Sequence, residues 1–222
     1  MWCIGQITPE FIWHMEDVLH QHELPYDPRR PIINLDERPC QLIGDVVQPI
    51  PMESGKVKRE DSEYERNGVC NLFTALEPLA GNRVCTVFQH RTGREYAMFM
   101  KMLSELHYPD VEKIVIIQDN LSTHNPGSFY KLFSPEEAFK LDSRFELHYT
   151  PKKASWLNMA EIELSVISKQ CLDRRIATQE QLKNEVYALV EERNKIKARV
   201  NWSFSKTKAR QKLERHYSTI TN

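Results

Sequence analysis

Three segments of this chain place carboxylates where they could act together. PIINLDE at 31–37 is a short apolar run that closes on two acids, Asp36 first. KIVIIQDN at 113–120 holds four consecutive β-branched apolar residues and closes on Asp119, with Asn120 and His124 just beyond. SWLNMAEIEL carries Glu161 and Glu163. If the first two segments are parallel neighbouring strands, Asp36 and Asp119 meet at the carboxyl edge of a sheet, where α/β proteins bind ligands. A helix after the last strand could bring Glu161 or Glu163 to the same point. Carboxylates converging without Cys or His make a hard, oxygen-only site suited to magnesium or manganese. Two such ions can activate an attacking oxygen and stabilise a leaving oxygen at phosphorus. Residues 161 and 163 of a helix point about 200° apart, so the two glutamates cannot face one site equally, and spacing alone leaves the choice open. An acid after a strand is common, so the weight lies in the conjunction.

The elements that must position these groups follow from periodicity. Phe11, Ile12, Met15, Val18 and Leu19 have helical spacing, and Thr8-Pro9-Glu10 is a helix start. A proline-rich connector leads to the strand at 31–37, and 45–67 reads as a long polar loop or irregular hairpin. The runs 68–76 and 83–90 predict a hairpin turning at Pro78 and Gly81. Residues 92–108 predict a helix whose apolar stripe includes Ala97, Phe99, Met100, Leu103 and Leu106. The β-branched run 113–120 predicts a strand buried on both faces. A helix near 135–142, a strand at 145–151, and helices at 155–172 and 178–197 follow, the last capped by Thr178 with Gln181 at the capping-box position. The order predicts an α/β fold with a mixed sheet.

Composition sets the class. A chain of 222 residues can bury a sizeable core. No apolar run approaches the ~20 residues of a membrane span, and no secretory signal opens the chain, so a soluble protein of the cytoplasm is expected. Five scattered cysteines form no CxxC pair, which predicts reduced, mostly buried thiols rather than disulfides or a zinc ribbon. His14, His20 and His22 read as surface residues of the first helix rather than metal ligands. Residues 1–150 hold 15 basic and 23 acidic side chains, whereas 151–222 hold 15 and 8. The basic C-terminal third is compatible with a phosphate-facing surface, and equally with a solvated helical face.

Together, INLDERPCQL (33–42), YERNGVCNLF (64–73), IVIIQDNLSTH (114–124), HYTPKKASWLNMAEIELSVISKQCL (148–172) and SFSKTKARQKLERHY (203–217) resemble, in order and nearly end to end, the DDE transposases of the mariner-like superfamily. The bacterial insertion-sequence group called the six-thirty family is the nearest in pattern. The resemblance implies a ribonuclease-H-like fold with a mixed central sheet flanked by helices. It divides the chain into an N-terminal helix and connector (1–30), a catalytic domain (31–175) and a basic helical extension (176–222). It implies Asp36, Asp119 and Glu161 as catalytic and metal-binding carboxylates, the last through the Asn-x-x-Glu pattern at 158–161, so that Glu161 is preferred to Glu163. Asn120 and His124 would orient the second aspartate or contact phosphate. Asn158 and Trp156 would support the helix start, Trp156 by packing. Lys152 and Lys153 would reach DNA phosphates. Tyr64 and Arg66 receive no role.

The implied cofactor is Mg2+, two ions, with Mn2+ able to substitute. The implied partners are double-stranded DNA (transposon ends and a TA-containing target) and a second copy of the chain in the active complex; when bound to DNA the protein would sit with the bacterial nucleoid. The implied reaction is phosphodiester cleavage at transposon ends, then attack of the freed 3′-hydroxyl on target DNA. Family members carry helix-turn-helix domains ahead of this region, whereas this chain starts MWCIGQITPEF, so recognition of specific ends is not expected from these residues. The rival readings are a non-catalytic DNA-binding relic that regulates transposase, and a nuclease or resolvase on the same fold.

Overall fold

The computed structural model describes residues 7–56, 59 and 61–220. Strands β1 (Ile32–Asp45), β2 (Tyr64–Glu77), β3 (Asn82–Phe88), β4 (Ile114–Gln118) and β5 (Phe145–Tyr149) form one mixed sheet in the order β3-β2-β1-β4-β5. β1 lies at its centre, antiparallel to β2 and parallel to β4. β4 in turn runs parallel to β5. The β-branched run 114–117 is fully buried, as expected of a strand covered on both faces.

Helices α1 (Pro9–Glu23), α2 (Gly93–Met102), α3 (Gly127–Tyr130), α4 (Pro135–Asp142), α5 (Ala160–Gln170), α6 (Gln179–Lys195), α7 (Lys206–Lys212) and α8 (Glu214–Ile220) flank the sheet. On one face Ile33, Leu35, Ile114 and Ile116 pack against Tyr96, Phe99 and Met100 of α2, Phe129 of α3 and Leu141 of α4. On the other, Cys40, Leu42, Leu72 and Val87 meet Leu164 and Ile167 of α5 and Val186 and Val190 of α6. Ile117 lies under α1 and α7 on this second face. Thr8, Thr92, Ser134, Thr178 and Ser205 each cap a helix through the side-chain oxygen, which satisfies an otherwise orphaned N–H.

Two elements depart from the sequence reading. The first strand does not stop at 37 but runs to Asp45, and β2 begins at Tyr64, so only the two ends of the 45–67 stretch join the sheet and the described residues between them form an irregular hairpin connection. Beyond Asn34 and Ile117 no further β1–β4 pairs form. There β1 pairs with β2 alone, and an edge tolerates Pro39, whose missing N–H would disqualify it from a central strand. The expected helix 92–108 is α-helical only to Met102 and then widens to a π-turn, Leu103–His107. The wider turn takes Leu106 off the apolar stripe and leaves it 73% exposed.

Cys40, Cys70, Cys85 and Cys171 are buried free thiols, while Cys3 lies outside the described residues. Among the described residues no helix is long and apolar enough to cross a membrane.

Candidate active site

Side chains of a strand alternate between faces. Along β1, Ile33 and Leu35 enter the core under α2, which sends Asn34 and Asp36 to the α5 side. The last registered β1–β4 pair is Asn34 with Ile117, and two residues on, the same parity brings Asp36 and Asp119 to the same face. Asp36 is largely buried, and its Oδ1 accepts a hydrogen bond from the Glu37 N–H at 2.8 Å. Burial pushes the Asp36 carboxyl up to about 7; the Glu37 N–H opposes this, the negative fields of Asp119 and Glu161 add to it, and His124 opposes it. Asp119 and Glu161 thus both act on Asp36, although they come from different elements.

Glu161 stands in the first turn of α5, and the start of that helix is tied to β1. Asn158 Nδ2 donates to Leu35 O at 2.7 Å, and the Met159 N–H donates to Asn34 Oδ1 at 3.0 Å. Asn158 Oδ1 also accepts from the Ala160 N–H. Trp156 packs edge-on to Phe204 at 5.5 Å, a packing contact. Glu163 faces elsewhere. It is fully buried and paired with Arg83 and Arg193, each with a nitrogen 2.7 Å from its carboxylate.

His124 is fully buried, its ring stacked on Tyr96 at 4.9 Å between centroids. Its Nε2 donates to Glu37 Oε1 at 2.9 Å, and its Nδ1 lies 2.6 Å from Asp119 Oδ1. The second contact is a close ion pair with the carboxylate. Burial pulls this imidazole down, but the two carboxylates outweigh it and hold it at about 9. Glu37 is the participant that sequence reading passed over. The Asp-Glu dipeptide within a strand was the available signal, because adjacent strand residues face opposite sides.

Asn120, Lys152 and Lys153 line a cavity of about 260 Å3 with Phe11 and His14 of α1. Lys153 adopts φ 64, a left-handed conformation in the turn that carries both lysines beside Asn120. The three α1 histidines do not converge. His14 is 4.0 Å from Glu10, His20 contacts Lys206 Nζ, and His22 bonds to Asn34. Arg66 and Arg175 both lie over the Tyr64 ring, at 6.0 and 5.8 Å from its centroid.

Asp36, Asp119 and Glu161 offer only oxygen donors, and Asp36 has an unbalanced negative environment, so the chemistry of these side chains fits a hard divalent cation. Among the described residues no three His, Cys, Asp or Glu side chains are close enough to hold an ion by themselves. Water and substrate phosphate oxygens would therefore complete the shell.

A mixed sheet with an acid on its central strand where the pairing with β4 ends, and a second acid just after β4, flanked by helices, defines a ribonuclease-H-like catalytic domain. The family model described as DDE superfamily endonuclease matches residues 31–183, and the chain belongs to that superfamily. Among solved structures, the Mos1 strand transfer complex matches with a TM-score of 0.58 and 11% identity over 100% of this chain and 66% of that chain. The mariner Mos1 paired end complex with Mg matches at 0.57 and 12%, over 100% and 64%. The catalytic domain of Mos1 mariner transposase matches at 0.51 and 8%, over 89% and 96%. At these identities the likeness is one of fold. The chain spans just under two thirds of the length of the proteins in the two complexes. No curated protein matches it by sequence.

Proposed function

We propose that this chain is the catalytic domain of a DNA transposase of the mariner-like superfamily, in the six-thirty insertion-sequence group. The observation that supports the reading is the placement of Asp36 and Asp119 on one face of adjacent parallel strands, with Glu161 on a helix whose start is pinned to the first of them. Asp36, Asp119 and Glu161 would hold Mg2+, or Mn2+, as two ions. When bound, the metal supplies Lewis acidity to the attacking and leaving oxygens at phosphorus. His124, braced by Glu37, holds Asp119 in place. Lys152 and Lys153, which line one cavity with Asn120, would contact DNA phosphates.

The reaction has two steps at one site. Water attacks a phosphodiester at the transposon end; the new P–O bond forms as the bond to the 3′-oxygen breaks, freeing a 3′-hydroxyl. That hydroxyl attacks a phosphodiester of TA-containing target DNA, and the target's own 3′-oxygen leaves. The chain contributes positioning and charge, the main sources of rate in phosphoryl transfer. Two copies of the chain would act together, one for each transposon end; the related Mos1 protein is found in paired end complexes.

The test is cleavage and strand joining on pre-nicked transposon ends with Mg2+ or Mn2+, wild type beside Glu161→Gln. Metal-dependent joined product that disappears in the variant is expected. Cleavage without joining would favour a nuclease. DNA binding with no metal-dependent product would favour a non-catalytic relic.

A further inference from the structure

We infer that Glu163, clamped by Arg83 and Arg193, is a positioning residue that sets the direction of Glu161; the inference rests on the reading of Glu161 as the third carboxylate. The side chains of Glu163 and Arg83 are fully buried, and that of Arg193 is 18% exposed. Arg193 is bidentate, Nε to Oε1 at 2.7 Å and Nη2 to Oε2 at 2.9 Å. Arg83 Nε lies 2.7 Å from Oε2. Burying three charges carries a large desolvation penalty, and an apolar trio of similar volume commonly stabilises a fold as well or better. Stability alone therefore does not account for the cluster.

Its connections account for it better. Arg83 cannot follow a moving helix, because its Nη1 donates to Gly81 O at 2.9 Å and its Nη2 to Ala198 O. Its backbone N–H and carbonyl both bond the Asn194 side chain, at 2.8 and 2.9 Å. Arg193 and Asn194 are consecutive on α6, so β3 and the end of α6 form one braced unit. Glu163 ties α5 to that unit, while Asn158 and Met159 tie the helix start to β1. Glu161 lies between the two anchors. A helix held at one end can roll; held on both sides of a residue it cannot. Because 161 and 163 point about 200° apart, a clamp on Glu163 turns Glu161 the opposite way, away from Arg83 and Arg193. The C-terminal helix α6 thereby becomes part of the device that aims the third carboxylate.

The experiment uses the full chain and single-turnover cleavage of pre-nicked duplex in MnCl2, with Mn2+ binding followed by electron paramagnetic resonance. Glu163→Gln is compared with wild type, Glu161→Gln and Arg193→Gln. Arg193→Gln is the milder variant, because Arg83 still neutralises Glu163, and it decides the matter if Glu163→Gln fails to fold. The expected result is a rate constant at saturating DNA lowered about 10- to 100-fold. The DNA concentration for half-maximal rate should stay within about twofold, Mn2+ binding should weaken, and Arg193→Lys should recover part of the rate. Unchanged rate and Mn2+ binding with only a lower melting temperature would overturn the inference. So would a Glu163→Gln variant as dead as Glu161→Gln beside a fully active Arg193→Gln, since that marks Glu163 as a reacting carboxylate. Wild-type protein that neither binds Mn2+ nor cleaves would overturn the proposed function, and this inference with it.

Discussion

His124 Nε2 donates a 2.9 Å hydrogen bond to Glu37 Oε1, on the face of β1 opposite Asp36. Two consecutive residues of one strand thus serve the two central acids differently. Asp36 faces the site itself, while Glu37 holds the imidazole whose other nitrogen touches Asp119. The imidazole reaches round the end of β4, so Asp119 is braced by the strand that carries Asp36.

Removing that brace should cost both stability and rate. His124→Ala leaves Glu37 buried and unpaired and opens space beside Tyr96, so a loss of about 3–5 kcal/mol is expected from breaking a buried pair. Glu37→Gln should cost less, because the amide oxygen can still accept from Nε2. Both should slow cleavage at least about tenfold. Urea unfolding and single-turnover cleavage check this; full-rate cleavage by folded His124→Ala would remove His124 from the site.

Without metal, Asp36 is held in a negative, poorly solvated place. Asp36→Asn should therefore raise the melting temperature of the metal-free protein while abolishing cleavage. Mn2+ at about 100 times its Kd should stabilise the wild type by about 2.7 kcal/mol and the variant far less. Calorimetry with and without Mn2+ reads both effects. Equal stabilisation of the two proteins would place the ion elsewhere.

His22 should make the fold sensitive to mild acid. Burial lowers its imidazole to about 4, against the partial opposition of its bond to Asn34. The unfolded chain takes up a proton near pH 6.5 and the folded chain does not. Stability is therefore intact above about 6.5, falls with pH through this window and levels off below about 4, a span worth at most about 3 kcal/mol. Urea midpoints at pH 7.5 and 4.5 should diverge less in His22→Gln than in wild type. An identical pH dependence would mean that His22 protonates freely in the fold.

Gly81→Ala should destabilise the β2–β3 turn. Gly81 has φ 73, and an added Cβ would stand 2.7 Å from the Lys197 backbone after α6. Strain and clash together should cost more than about 1 kcal/mol. By weakening the docking of α6 on β3, the change should also lower the cleavage rate. A melting temperature equal to wild type would show that the turn and α6 can separate freely.

The amino-acid sequence by itself determined the order of elements, the burial of β4, the capped starts of α1 and α6, and the acid that follows β4. These are local properties, since β-branched runs, helical stripes and cap residues act within a few positions of one another. The length of β1 was not legible, because the end of β4, more than seventy residues away in sequence, makes β1 an edge where Pro39 is harmless. Nor was the π-turn that expels Leu106. Spacing left Glu161 and Glu163 as equals. The family pattern preferred Glu161, and the tertiary structure supplies a physical reason, because Arg83 on β3 and Arg193 on α6 meet Glu163 from distant parts of the chain and bury it. The same holds for Glu37, whose partner His124 lies 87 positions further on. A charge can be buried only where opposite charge or hydrogen bonds are brought to it, and which residues those are is decided by packing across the sheet.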